Sequence, residues 1–205
     1  MHWLPRTALL IGLGAALAAP SAADNPPLFY SKPTGFQIKR PVGWSYLGDA
    51  EALNKKVPRR LSDAELDKLL GARKALDLVQ IALHREPFDG LNPSIQVAFQ
   101  RLESLASASP IDALAPIAAQ LKQQFPDLEV IDAPQSATIG GRPGARMKAR
   151  YTATLDGKSY PTLSRIWIAP RGDFAFVIGM SGPATGPEVS EAHFASCLAS
   201  IRIMK

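Results

Sequence analysis

Hydrophobic and polar positions alternate along several stretches of this chain, and the period of alternation predicts its elements. Within Gly35–Tyr46, Phe36 and Ile38 alternate with Gln37 and Lys39, which predicts a strand that Pro41 and Gly43 break. Ser94–Leu102 alternates more regularly, with Ile95, Val97 and Phe99 against Gln96 and Gln100, and reads as another strand. Leu76–His84 alternates weakly but is rich in Val, Ile and Leu, so it reads as a largely buried strand, and Glu86–Pro93 as a loop. Asn54–Arg60 reads as a basic loop. After it, Ser62-Asp63-Ala64-Glu65 has the capping-box pattern, with Leu66, Leu69 and Leu70 as the apolar stripe of a short helix that Gly71 can end. Helical spacing recurs over Ile111–Phe125, where Leu114, Ile117, Ala118, Leu121 and Phe125 share a face. Pro116 moves the start of that helix to Asp112 or later, and Pro126 stops its far end.

The last third predicts a three-stranded antiparallel meander. Gly140–Gly144 is a turn, Ala145–Leu155 a long strand, and Asp156-Gly157 a two-residue hairpin signal. Lys158–Ala169 returns, and Arg171-Gly172-Asp173 turns into Phe174–Met180. Pro183–Pro187 ends the meander, and Val189, Phe194, Cys197, Leu198 and Ile201 give a closing helix its apolar face. A two-residue loop pairs Leu155 with Lys158. That register puts Arg146 opposite Trp167, Lys148 opposite Arg165, and Arg150 opposite Leu163. Because side chains alternate across a strand, Arg146, Lys148, Arg150, Arg165 and Trp167 share one side. Ala145, Met147, Ala149, Tyr151, Tyr160, Ile166 and Ile168 fall on the other, which reads as core. The basic strip with its tryptophan is the candidate partner-binding surface. Two plainer readings stand beside it: a solvated sheet face, or a half-covered one whose long side chains snorkel past a packed helix.

The N-terminus changes the picture from fold to address. Arg6, the uncharged apolar run Ala8–Ala19 and the small residues Ser21-Ala22-Ala23 form a secretory signal pattern, with cleavage expected after Ala23 and a single domain over 24–205. The run falls short of the roughly 20 apolar residues that span a bilayer, which weighs against an uncleaved anchor. Cys197 is the only cysteine, so there is no lipobox to carry an acyl chain and no internal disulfide, and stability rests on packing. No later segment is apolar enough to span a membrane. An Ala-, Pro- and Arg-rich composition suits a bacterial source, and so the periplasm. The 205 residues carry a net charge of +5, of which the leader contributes only Arg6. In an exported protein that basic balance fits an acidic protein face or an anionic envelope component and disfavours nucleic acid.

Candidate chemistry is sparse. The exported part has only His84 and His193, far apart, with no HExxH or CxxC, so no metal or cofactor is expected. Gly157-Lys158-Ser159 imitates the end of a phosphate-binding loop, but Thr152 stands where the template needs glycine and the segment is a hairpin tip. Ser181 lies in Gly-Met-Ser-Gly-Pro, where Pro183 breaks the nucleophile-elbow pattern, and a strand end is the plainer reading. His193 and Cys197 share a helical face, yet Phe194, Leu198 and Ile201 surround the thiol as they would a small core residue. Arg171-Gly172-Asp173 is an adhesion-like tripeptide that is also good turn chemistry. Lys55, Lys56, Arg59 and Arg60 form a second basic patch that reads as a solvated loop.

Three segments together are similar to a known family: GFQIKRPVGW at Gly35–Trp44, TIGGRPGARMKARYT at Thr138–Thr152, and LASI at Leu198–Ile201. The chain resembles the PsbP-like superfamily, and within it the bacterial DcrB-like branch, from about Tyr30 to Ile203. The resemblance implies an α+β fold, an antiparallel sheet with helices on both faces (an α/β/α sandwich), and a mostly non-enzymatic role in holding or assembling other proteins. The expectation is an exported, non-catalytic adaptor or chaperone-like protein of the periplasm or cell envelope. A carrier of a small apolar ligand or lipid, held between sheet and helix, is the alternative.

Overall fold

The computed structural model describes residues 27–71, 75–101, 109–186 and 191–204, so the leader and Val189 lie outside the described residues. In chain order the strands and helices are β1 (Leu28–Ser31), β2 (Phe36–Lys39), β3 (Ser45–Leu47), α1 (Ala52–Lys56), α2 (Asp63–Leu70), β4 (Ala75–Ala82) and β5 (Ser94–Arg101). There follow α3 (Leu114–Gln124), β6 (Glu129–Ile139), β7 (Arg142–Leu155), β8 (Lys158–Arg171), β9 (Phe174–Pro183), α4 (Glu191–Ser200) and β10 (Arg202–Ile203). A seven-stranded antiparallel sheet runs β3-β4-β5-β9-β8-β7-β6, and a three-stranded one runs β1-β2-β10.

The large sheet is covered on both faces, as a sandwich requires. One face meets α3 through Leu114, Ile117 and Leu121 over Ala145, Met147, Ala149, Tyr151, Ile166 and Ile168. All of these β7 and β8 positions were expected as core; Tyr160, on the same side, is only half-buried. The other face meets α2, α4 and the small sheet, with Phe36, Ile38, Trp44, Leu66 and Phe194 packed on Phe99, Trp167, Phe176 and Ile178. An aromatic contact joins the two sheets: Phe36 stacks on Phe176 at 5.1 Å, and Phe176 meets Phe99 of the same large sheet at 4.9 Å.

The hairpin forms in the expected register, from Leu155↔Lys158 to Ala145↔Ile168. Its turn residues have φ of 48° at Asp156 and 77° at Gly157, the left-handed pair that a two-residue turn matching strand twist demands. At the other end of β7, Gly144 lies beneath the backbone of β8. A Cβ there would overlap the Ile168 carbonyl oxygen and Ile139 Cδ1.

Several elements depart from the sequence reading, and one of them, β1, lies where no strand was expected. Part of the basic loop is the single turn α1, too short to show periodicity. Buried Asn54 secures it, accepting from Lys32 N at 2.8 Å and donating to the Tyr30 carbonyl. β6 was missed because it is an edge strand, exposed at most positions, interrupted by two register shifts and containing Pro134. α4 ends at Ser200, so Ile201 is buried just beyond the helix, and the chain closes with β10 against β2.

The capping box on α2 is complete: Ser62 accepts from Glu65 N, and Glu65 accepts from Ser62 N at 2.9 Å. Arg59 beside Glu65, with the Ser62 bonds, pulls that carboxyl down to about 2. Replacing Ser62→Ala should destabilise the protein by about 1 kcal/mol in urea unfolding. Because the folded pKa is depressed, the Glu65 contribution is present above the ordinary carboxylate range and disappears as pH falls through about 2. Protection factors of the α2 amides should therefore hold at pH 5 and fall progressively as the pH drops from the ordinary carboxylate range toward about 2.

Candidate functional site

The five strip residues do fall on one side of β7 and β8, and that side is partly roofed by α4. Trp167 is 7 % exposed and Arg165 only 4 %, whereas Lys148 is half-buried and Arg146 and Arg150 are exposed. The half-covered alternative describes this face better than an open basic surface. On β8, Arg165 lies between Lys148 of β7 and Met180 of β9, and Trp167 between Arg146 and Ile178.

Each basic side chain of the strip has a partner, a carboxylate for all but Arg146. Arg165 Nη2 donates to the carboxylate of Glu191 at the start of α4, and its guanidinium carbon stands 5.1 Å from the Phe194 ring centroid. Lys148 Nζ is 3.4 Å from Asp132, Arg150 Nη2 is 2.6 Å from Glu129, and Arg146 Nη2 donates to Gln135 Oε1 at 3.4 Å. The strip is therefore a seam between β6 and α4, its positive charge largely matched within the chain. The second basic patch is treated in the same way: Lys55 pairs with Asp49, Arg59 with Glu65, and Arg60 Nη2 donates to the Met204 carbonyl.

Between β6 and α4 the seam opens into a groove of about 210 Å³. Arg165 and Trp167 line its sheet side, Phe194, Ala195 and Leu198 its helix side, and Asp132, Gln135, Arg146, Lys148 and Glu191 also line it. Sequence reading supplied the strand residues and the apolar helix face. It missed Asp132 and Gln135 with their strand, and Glu191, for which no sequence pattern showed that it would meet Arg165. Arg150, the remaining strip residue, is not among the groove-lining side chains.

The other candidates resolve into structural roles. The Ser181 hydroxyl lies 2.6 Å from that of Ser164, near the phenol of Tyr151, which burial pushes up. Cys197 directs its thiol to the Lys39 carbonyl at 3.2 Å, and burial pushes it up to about 12. At neutral pH it is a protonated thiol, not a nucleophile. Arg171 turns inward, donating to the Thr34 carbonyl at 2.6 Å and pairing with Asp63 at 3.2 Å, so the Arg-Gly-Asp turn is a tether between layers. Among the described residues no cluster of three or more His, Cys, Asp or Glu could hold a metal ion, and no helix is long and apolar enough to cross a membrane.

No protein-family model and no curated protein sequence matches the chain. Its similarities are to solved structures. The solution structure of cyanobacterial PsbP (CyanoP) from Synechocystis is 11% identical with a TM-score of 0.50, over 94% of this chain and 99% of that one. LpqN, involved in cell envelope biogenesis of Mycobacterium tuberculosis, is 11% identical with a TM-score of 0.48, over 83% of each chain. The CyanoP alignment covers nearly the whole chain, and the chain has the PsbP-like fold.

Proposed function

We propose that this chain is an exported, non-catalytic binding or assembly protein of the periplasm or cell envelope, and that the groove around Trp167 is where it meets a protein partner. The observation that carries the reading is the placement of Trp167, Phe194 and Arg165 side by side in a concavity where α4 leaves the sheet partly uncovered. Aromatic and arginine side chains in a desolvated hollow are the usual anchors of protein interfaces. Arg146 and Lys148 form the groove's polar rim, and Arg150 extends the basic edge beyond it. Pairing with Gln135, Asp132 and Glu129 lets these residues confer specificity without making the face a general polyanion binder. A volume of about 210 Å³ is below the roughly 300–1,000 Å³ of small-molecule pockets, which favours a partner's side chains over a carried lipid.

A photo-crosslinking residue at Gln135, on the groove, should capture a defined partner in cells, whereas one at Lys158, on the hairpin tip, should not. Replacing Arg146→Ser and Lys148→Ser together should reduce the Gln135 capture and leave the thermal unfolding curve nearly unchanged. Arg165 is spared because its burial would confuse lost binding with lost folding. Equal capture from both positions would refute the reading, and so would capture indifferent to the rim. The captured protein should come from the periplasmic fraction, where the chain should begin at Asp24.

A non-catalytic role also predicts inert nucleophiles. Native protein at pH 8 should resist iodoacetamide at Cys197, which should react only on unfolding, and should resist fluorophosphonate at Ser181 whether folded or unfolded. Rapid native labelling of either would point to an enzyme.

A further inference from the structure

Among the described residues Arg165 is the only charged residue in the buried class, its side chain 5% exposed, while that of its partner Glu191 is 65% exposed. Glu191 engages Nη2. Nε and Nη1, both buried, have no hydrogen-bond partner among the described residues. A buried guanidinium with two idle donors is costly and is only partly satisfied by Glu191, and Arg165 lines the groove. The charged side chains lining that groove are Arg146, Lys148 and Arg165 against Asp132 and Glu191, one positive charge in excess. One monoanion neutralises that excess, whereas a phosphate dianion would leave a net negative charge in the groove. The adjoining walls are the apolar Trp167, Phe194 and Leu198.

Resting on the reading of the groove as the partner contact, we propose that it recognises an acidic side chain, Asp or Glu, flanked by apolar residues in the partner polypeptide. Glu191 is the internal stand-in: a side-chain carboxylate already seated on Arg165, exposed enough to swing away when a partner's carboxylate takes its place. The chain thus covers its own anchor when alone and exchanges one glutamate for another on binding. Because the resident group is a side-chain carboxylate, the group that replaces it is a side chain and not a chain terminus, a phosphate or a fatty acid.

The test titrates the purified full chain with two end-blocked pentapeptides, each with a central Glu or Gln between two leucines. Binding is read from the Arg165 Nε–H and Trp167 Nε1–H NMR resonances. The Glu peptide should shift both and bind at least about tenfold more tightly than the Gln peptide. Glu191→Gln, a change at an exposed position, should tighten the Glu peptide several-fold and leave the Gln peptide's affinity nearly unchanged. Equal affinities, no shift from either peptide, or unchanged or weaker binding by E191Q would overturn the proposal. So would tighter binding of the Gln peptide with a free C-terminus, of inorganic phosphate or of decanoate. If crosslinking from Gln135 still captures a partner while the two peptides bind alike, the groove is the contact and only its carboxylate chemistry is wrong. If that crosslinking also fails, the functional reading itself falls.

Discussion

A two-residue turn constrains everything built on it. With φ positive at both Asp156 and Gly157, the β7–β8 ladder has one comfortable register, which carries through eleven paired positions. A slip of one residue would exchange the faces of a strand, burying charged residues beneath α3 and sending Ile166 and Ile168 to the α4 side. The register therefore decides which layer each β8 residue meets, and so it places Arg165 and Trp167 beneath α4. Because β8 sits between β7 and β9, neither edge of it is free, and both its faces are packed against other layers. An arginine on such a strand must be paired where it lies or be driven out.

The molecule pairs it. Glu191 brings a carboxylate down from the start of α4, and Phe194, one turn further along, offers its ring to the same guanidinium. Those two contacts join a polar position on the sheet to a helix whose other anchors, Cys197 and Phe194 against Trp44, are apolar packing. The groove exists because the roof is incomplete toward β6. Beyond α4 the strip is covered only by its own ion pairs, which keep the charges apart from one another and the edge strand soluble.

Much of this was legible from residue pattern alone. The meander, its register, both main helices and the separation of basic strip from core follow from alternation and a strong turn, signals that are local and do not need the rest of the chain. What escaped has a common physical cause. β6 is an edge strand with Glu129, Asp132 and Pro134 in it, so burial imposes no period on its sequence. α1 is one turn held by Asn54, and β10 is two residues whose pairing depends on the distant β2. The site was half legible for the same reason: the strand residues come from one hairpin, while Asp132 and Glu191 reach them only through tertiary packing. The resemblance read in Gly35–Trp44, Thr138–Thr152 and Leu198–Ile201 implied the layer order that periodicity could not, and the fold agrees with it.

The claim on which the functional account rests is that α4 holds Arg165 as a buried, paired cation. A double-mutant cycle on stability, with Arg165→Met, Glu191→Ala and both together, measures this directly by urea unfolding. The account expects a favourable coupling of about 1 kcal/mol or more between the two positions, with Glu191→Ala nearly harmless once Arg165 is methionine. Additive effects, with a coupling below about 0.3 kcal/mol, would contradict it: Arg165 would then not depend on the roof described here.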